Sequence, residues 1–214
     1  GGALARAVSQ AFLEAQAWGA TEQVPRIHVC QPEGGFPFVR AYYLVLQAIA
    51  RRSGLAFDLH YEAEAPAAAQ LEALKKFVWN RGEQIQALTE FISLNFDAPA
   101  VRSTLDDLPF HSRRTMWPWD GPAPHSLAHG ILDDVTYDWY PLLRAVLRSG
   151  GRAEVLREEA IHDAYRLAHR HTGIRVCPTG AAGLAGLIQL TESGVVGRSE
   201  SAGVFFTGFD RSRP

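Results

Sequence analysis

Apolar residues recur at helical spacing along much of the chain, and glycines close several of the periodic stretches. The first stretch keeps one apolar face over four turns and stops before Gly19, a residue type that favours the position just past a helix end. Gly82 divides a longer periodic region in two. The predicted helices cover, in order, residues 3–15, 38–52, two segments within 66–96, 141–149, 158–172 and 180–191.

Short apolar runs alternate with these helices and predict strands. They are Arg26–Cys30, Arg152–Arg157, Ile174–Val176 and Val204–Phe206. The last run is apolar on both faces, as expected of a buried parallel strand. Alternation of strand and helix is typical of an α/β domain, so we expect a three-layer αβα architecture with a mostly parallel sheet.

A long middle region interrupts this alternation. Ala98–Pro124 is rich in proline, tryptophan and charge, and the pattern predicts an irregular excursion after the helices of residues 66–96. We therefore expect one domain over residues 1–214, with a helical and irregular insertion at about 53–124.

The stretch from Val176 to Asp210 carries candidate chemistry. Its helix opens with the small residues Gly180–Gly183, which let a large group approach the backbone. Thr207 ends the predicted strand, and open α/β sheets bind ligands at the carboxyl ends of their strands. Thr207 is therefore a candidate ligand-binding residue; the alternative is a threonine that only caps a strand.

Gly1 and Gly2 stand at the start of the first predicted helix. The unpaired N–H groups and the dipole of a helix N-terminus attract an anion. This pair is therefore a candidate anion-binding loop, and a remnant of an expression tag is the alternative interpretation.

Composition narrows the classes of function. The 214 residues are 47% hydrophobic and 21% charged, as in an ordinary globular domain. A net charge of −2 without a basic run argues against nucleic-acid binding, and no apolar run is long enough to predict a membrane span. Two cysteines, Cys30 and Cys177, give no disulfide framework, so a cytoplasmic location is expected.

Two further patterns bear on the chemistry and the boundaries of the chain. His125 and His129 have the spacing of helical metal ligands, but no third ligand is evident and Gly130 argues against a long helix, so no metal site is predicted. A helical pattern begins directly after Gly1 without an initiator methionine. We therefore expect the C-terminal portion of a longer polypeptide.

Several segments resemble one enzyme family in the right order. They are "QPEGG" at the end of the strand that includes Cys30, "HSLAHGI" from His125, "PTGAAGLAGL" from Pro178, and "VFFTG" from Val204. This order resembles the C-terminal part of the fold-type II pyridoxal-phosphate (PLP) enzymes, which have a tryptophan-synthase-beta-like fold. Within them it is most similar to the threonine synthase family, and the resemblance leaves residues 53–124 uncovered.

The resemblance implies a set of cofactor-binding residues. In the family, a glycine-rich "GGGAL"-type loop holds the cofactor phosphate, which corresponds here to Gly1, Gly2, Ala3 and Leu4. A glutamine at the position of Gln31 lies beside the cofactor ring, although an ordinary strand-to-helix loop is the alternative for that position. A hydroxyl at the position of Thr207 bonds the pyridine nitrogen.

The implied function is part of a PLP-dependent lyase that acts on an amino acid by β/γ-elimination or replacement. Threonine-synthase-like loss of a γ-phosphate followed by addition of water is the first hypothesis. A serine/threonine dehydratase or ammonia-lyase is the alternative within the enzymes, and a non-catalytic binding or regulatory subunit of a split enzyme is the alternative outside them. The family also implies a homodimer.

The chain departs from the family in three respects. Cys177 stands where relatives have a carboxylate, and "TGFDRSR" from Thr207 replaces the pattern "TGHGLKD". The only lysines are Lys75 and Lys76, which lie in a polar and apolar repeat and are expected to be solvated, without the small-residue setting of a Schiff-base lysine. No catalytic residue is therefore predicted in this chain; the lysine is expected in an N-terminal portion that would be its partner.

Overall fold

The computed structural model describes residues 2–59 and 66–211. Within them the helices and strands follow one another in the order α1 Ala3–Ala17, β1 Val29–Pro32, α2 Pro37–Arg52, α3 Ala67–Asn80, α4 Gly82–Leu94, α5 Pro99–Asp107, α6 Ser112–Thr115, α7 Trp139–Arg148, β2 Ala153–Leu156, α8 Glu158–Thr172 and α9 Pro178–Glu192. Short 3-10 turns at Leu108–His111 and His129–Ile131 complete the regular structure.

The predicted helices are confirmed, and local signals explain their ends. Gly173 follows α8 with φ of +68°, a left-handed conformation that glycine adopts without steric cost. Pro178 opens α9 at its first position, where the missing N–H is no loss. Arg81 separates α3 from α4, so the predicted break beside Gly82 is confirmed.

The prediction of an irregular excursion over Ala98–Pro124 is wrong for its first half. Pro99 begins α5, and the buried side chains of Val101, Thr104 and Leu105 give that helix an inward face. Helical turns continue to Thr115. The sequence did not predict this helix because only a few residues at helical spacing face inward, and the surrounding composition is rich in proline and tryptophan.

The sheet is smaller than predicted. β1 and β2 pair in parallel, with Val29 opposite Ala153 and Pro32 opposite Leu156. The predicted strand at Ile174–Val176 is reduced to one antiparallel bridge between Val176 and Phe209. Residues 204–206 form no strand, and the Phe205 side chain is 60% exposed. An apolar run becomes a strand only where the backbone of a neighbouring segment pairs with it by hydrogen bonds. Among the described residues, no segment pairs in this way with residues 204–206.

Helices lie on both faces of the two-stranded sheet. Ala153 and Val155 pack into the main core with α2, α3, α4 and α7, whereas Leu156 packs with side chains of α8 and α9 on the other face. This alternation is the period of two that a strand imposes on its side chains. The described residues therefore form an α/β structure with a small parallel sheet.

Helix α2 is the centre of the main core. Twelve of its sixteen residues are buried, and Tyr42 and Tyr43 have no exposed surface. The helices of the region predicted as an insertion also contribute to this core, through Leu74, Ile85 and Leu105. Those helices thus share the hydrophobic core of α2 and β2, while the domain boundaries stay a prediction.

The apolar face predicted for the first helix is only partly buried. Ala5 and Val8 pack against the main core, but Leu4 is 49% exposed and Ala7 and Ala11 also face solvent. The apolar stripe of α1 is therefore wider than the surface it packs against. Among the described helices, none combines the length and the apolar composition needed to cross a membrane.

Candidate functional site

The carboxyl end of β1 carries Gln31, whose side chain is 9% exposed. Its Oε1 accepts hydrogen bonds from the backbone N–H groups of Phe38 at 2.8 Å and Val39 at 3.1 Å. These are N-terminal amides of α2, which lack partners inside the helix. The side-chain carbonyl of Gln31 therefore caps α2, a contact that sequence reasoning did not anticipate.

Charged side chains surround the turn that follows β1. The Glu33 carboxylate accepts a hydrogen bond from the Glu158 N–H at the start of α8, at 3.1 Å. Lys75 on α3 lies 3.8 Å from Glu33 and 2.7 Å from Glu72. The hydrogen bond from Lys75 lowers the pKa of Glu72. The Lys75 ammonium group therefore contacts two carboxylates, one on its own helix and one in the turn after β1.

The prediction that both lysines are solvated is wrong for Lys75. Its side chain is 18% exposed, and it lies 5.8 Å from the ring centroid of Trp79. The helical repeat around Lys75 gave no sign of this, because its partner Glu33 is forty-two residues earlier in the sequence. Lys76 is exposed as predicted.

The small-residue start of α9 is occupied by the chain's own C-terminal segment. A Cβ atom added at Gly180 would lie 2.6 Å from the backbone nitrogen of Gly208. Gly208 also accepts a hydrogen bond from the Cys177 N–H at 3.0 Å, and Asp210 accepts one from the Tyr165 hydroxyl at 2.8 Å. The large group that approaches this backbone is therefore the segment that carries Thr207.

Thr207 itself is exposed, directly before the glycine that contacts α9. It ends an extended segment rather than a strand of the sheet, so the expected position at a strand's carboxyl end is wrong. On β1 it is Cys30, the neighbour of Gln31, that faces this helix, with its thiol 3.4 Å from the Ala182 carbonyl, whereas the Gln31 side chain points towards α2. The structure thus places Thr207 beside the first turns of α9 and the Gln31 side chain at the start of α2.

The start of α1 lies in a different environment. Gly2 has φ of +85° and forms the N-cap of α1 without a side-chain hydrogen bond. A Cβ atom at Gly2 would meet Leu142 at 2.8 Å and Thr136 at 3.6 Å, near the beginning of α7. Gly1 lies outside the described residues. Gly2 therefore packs at the start of α7, whereas the Gln31 side chain lies at the start of α2 and Thr207 lies beside α9.

The segment "HSLAHGI" from His125, one of those that carry the resemblance, lies at the carboxyl ends of the two strands. His125 packs its backbone oxygen against Gly34, where an added Cβ would lie only 1.9 Å away. The Leu127 N–H donates to Glu158 at 2.9 Å, and the Gly130 N–H donates to Thr179 at 3.1 Å. The segment therefore touches the turn after β1, the start of α8 and the start of α9.

Comparison with known proteins gives a local similarity. No protein-family model matches the chain. It is 39% identical over 72 residues to a threonine synthase of Methanocaldococcus jannaschii, and 42% identical over 66 residues to a threonine synthase of Methanosarcina acetivorans. The matched parts are 34% and 31% of this chain. This chain is threonine-synthase-like over about a third of its length.

The coverage of the relatives is lower. The matched residues span 18% and 16% of the two threonine synthases. The predicted relationship to threonine synthase is therefore supported for a segment, and the activity of the whole relatives does not transfer with it.

A pair of buried charges lies at β2, which the sequence analysis predicted only as a short strand. Arg152 donates to Glu154 at 2.8 Å, with side chains 2% and 4% exposed. Gln189 of α9 donates to the same carboxylate at 2.9 Å. Desolvation raises the pKa of Glu154 against the opposing effect of Arg152. Burial likewise raises the pKa of the Cys30 thiol to about 12, which makes that thiol unreactive.

The signal for these residues was present but ambiguous. Glu154 is the single charge inside "AEVL". A further buried charge, Arg40 on α2, follows the apolar pair Phe38-Val39. A charge at a position whose neighbours are core residues indicates a buried pair, yet its partner cannot be read from spacing. The described residues contain no group of three or more His, Cys, Asp or Glu side chains arranged to hold a metal ion.

Acid pH is expected to destabilise the protein through His28. Its Nδ1 accepts a hydrogen bond from the Arg152 N–H at 3.2 Å, so this nitrogen must stay unprotonated. Burial, followed by Arg26 and Arg152, lowers its pKa from 6.5 to about 4, and Glu200 opposes them. The unfolded state therefore binds the proton more tightly than the folded state. The stabilisation from neutral His28 is complete above pH 6.5 and is lost as pH falls towards 4. The expected loss of unfolding free energy is on the order of 2 kcal/mol.

The variant His28→Asn isolates this contribution. The asparagine oxygen can accept the same backbone hydrogen bond but does not titrate. Urea unfolding at about pH 7 and about pH 4.5 should show a drop in unfolding free energy that is about 2 kcal/mol smaller in the variant than in the wild type. Equal drops in both proteins would contradict the assignment to His28.

Proposed function

We propose that this chain is part of a PLP-dependent lyase that acts on an amino acid by β/γ-elimination or replacement, in the manner of threonine synthase. The observation that carries the proposal is the similarity of 39% and 42% identity to two threonine synthases. The parallel pair of strands with helices on both faces supports it, because such sheets bind ligands at their carboxyl ends.

The start of α1 fits the phosphate of this cofactor. The N-cap residue Gly2 has no side chain that could cap the helix, and no acidic residue stands in the first turn of this 15-residue helix. Its first amide groups and its dipole are therefore available to an anion. Gly2, Ala3 and Leu4 would hold the phosphate, together with Gly1.

The exposed hydroxyl of Thr207 fits the ring nitrogen of the cofactor. When bound, PLP supplies a ring that withdraws electrons from the α-carbon of an amino acid. A threonine hydroxyl donates a hydrogen bond to an unprotonated ring nitrogen and leaves it neutral, which favours loss of a β or γ substituent. Gln31 would lie beside the ring through its side-chain amide, since its carbonyl already caps α2.

The described part of the chain offers no suitable amine for the chemistry itself. Lys75 is paired with Glu72 and Glu33, and Lys76 is exposed on the same helix. We infer that a polypeptide preceding this portion supplies the lysine and joins it as a partner, in an assembly that forms a dimer. The pairing of Lys75 also favours the second candidate function, a non-catalytic subunit that binds the cofactor for a partner.

Replacement of Thr207 by valine tests the site. Loss of one hydrogen bond should weaken PLP binding by roughly 2- to 10-fold, corresponding to about 0.5–1.5 kcal/mol. Binding is measured by absorbance titration of the chain together with the polypeptide that carries the N-terminal portion. The variant Thr207→Ser should bind like the wild type, and Ser201→Ala, in the same exposed segment, is the matched control.

The same titration separates the functions. Turnover of a γ-phosphorylated amino acid by the combined polypeptides, and none by this chain alone, is the expected result. PLP binding without turnover supports the non-catalytic subunit. Absence of PLP binding in the combined sample would overturn both proposals.

A further inference from the structure

Arg40 is a fully buried cation near the start of α2. Its side chain is 0% exposed, its Nη1 donates to the Asp120 carboxylate at 2.6 Å, and its Nη2 donates to the Trp117 carbonyl. The guanidinium carbon lies 3.8 Å from the centroid of the Trp117 ring. A buried charge is costly unless it is paired, so residues 117–120 must stay wrapped around this side chain.

Residues 117–120 are also held by hydrogen bonds and a ring contact that do not involve Arg40. The Trp117 indole N–H donates to Asp120 at 2.8 Å, and the Trp119 backbone N–H donates to the Asp134 carbonyl at 2.9 Å. Phe36, next to α2, packs edge-to-face on Trp119 with ring centroids 5.0 Å apart. The Pro- and Trp-rich segment is thus attached to α2 by one cation and two aromatic rings.

The residues that follow lead directly to the carboxyl ends of the strands. Pro124 would lie 3.3 Å from a Cβ added at Gly35, and His125 packs against Gly34. Leu127 and Gly130 then hydrogen-bond to the first turns of α8 and α9. Residues 122–130, which directly follow the segment attached at Arg40, therefore cross this end of the sheet.

We propose that Arg40 is a positioning residue that fixes residues 117–130 as a wall across the carboxyl ends of β1 and β2, beside the ligand site. The choice of ligand, PLP with its amino-acid substrate, rests on the proposed function. The planar guanidinium group of Arg40 donates to two acceptors, Asp120 and the Trp117 carbonyl, while its face stacks on the Trp117 ring. The ammonium group of a lysine cannot make all of these contacts at once.

Amide hydrogen exchange tests the attachment. In Arg40→Met, peptides that cover residues 117–130 should exchange at least about tenfold faster than in the wild type, with β1 and α9 unchanged. Arg40→Lys keeps the charge and should show an intermediate increase. The matched control is Arg52→Met, which removes another α2 arginine that pairs with a carboxylate, Asp107 at 2.7 Å, but is 46% exposed. It should leave the segment unchanged.

A second variant covers the case in which Arg40→Met unfolds the whole chain. Asp120 is 45% exposed, so Asp120→Asn weakens the pair while the fold is retained, and it should raise exchange in the same segment about threefold. Unchanged exchange in both Asp120→Asn and Arg40→Lys would overturn the proposal.

PLP affinity shows whether residues 117–130 contribute to the ligand site or only to the local structure. Arg40→Lys should weaken PLP binding by the combined polypeptides about threefold to tenfold, whereas Arg52→Met should not. Faster exchange with unchanged PLP affinity would overturn the positioning role. If the wild type binds no PLP, the proposed function fails, and the exchange result still decides whether Arg40 holds the segment.

Discussion

Replacement of Gly151 by alanine is expected to destabilise the protein by about 3 kcal/mol or more. The new Cβ would lie 1.9 Å from the carbonyl oxygen of Ile27 and 2.6 Å from its carbonyl carbon. Both are backbone atoms at the entrance to β1, and the Gly151 carbonyl accepts a hydrogen bond from the buried Tyr42 hydroxyl at 2.9 Å. The backbone segments that lead into the two strands would therefore have to separate.

The measurement is urea unfolding followed by circular dichroism. A loss of about 3 kcal/mol is a large fraction of the roughly 5–15 kcal/mol that stabilises a typical domain. Gly203→Ala is the matched control, because no heavy atom lies within 4 Å of its added Cβ and its φ is not positive. Equal stability of the two variants would show that the close approach of Gly151 to Ile27 is not a feature of the folded protein.

The second large effect is expected from Arg152→Met. This change leaves the Glu154 carboxylate buried at 4% exposure without its cation, and removal of one partner of a buried pair costs about 3–5 kcal/mol. The double variant Arg152→Met with Glu154→Gln should regain much of this loss, since neutral glutamine can still hydrogen-bond to Gln189. Unfolding free energies of the wild type, both single variants and the double variant provide the cycle.

The pH dependence of Arg152→Met has a definite sign. Desolvation raises the pKa of Glu154 in the folded wild type, and loss of Arg152, which lowers that pKa, raises it further in the variant; the folded variant therefore holds the Glu154 proton more tightly than the folded wild type. The stabilising contribution of this proton is complete below the ordinary value of 4.5 and is lost as pH rises through the folded-state pKa. At each pH, the unfolding free energy of Arg152→Met is compared with that of the wild type. The difference should be larger at about pH 8 than at about pH 5. A difference that does not change with pH would show that protonation of Glu154 is not its cause.

The helices show how far local sequence information extends. Apolar spacing and the positions of glycine and proline gave α2, α3, α4, α8 and α9 within a few residues. These signals act over one or two turns, so they do not depend on the rest of the fold. The same reasoning missed α5, where the inward face is only three residues long.

The candidate site shows where that information stops. Gln31 and Thr207 were selected as residue types, but the structure turns the Gln31 carbonyl towards α2, which it caps, and places Thr207 next to Gly208 at the start of α9. Arg40 and Glu154 were not selected at all. Their partners are distant in the sequence, because Asp120 lies eighty residues after Arg40, and Gln189 lies thirty-five residues after Glu154.

The sequence by itself determined most of the helices, although not α5 and α6, the parallel α/β arrangement of β1 and β2, and which segments resemble threonine synthase. The tertiary structure decided that Val204–Phe206 forms no strand, that Gly180 packs against Gly208, and that Lys75 is paired rather than solvated. The physical reason is the range of the interactions. Helical hydrogen bonds join residues four apart, whereas strand pairing, close glycine contacts and buried ion pairs join residues that only the folded chain brings together.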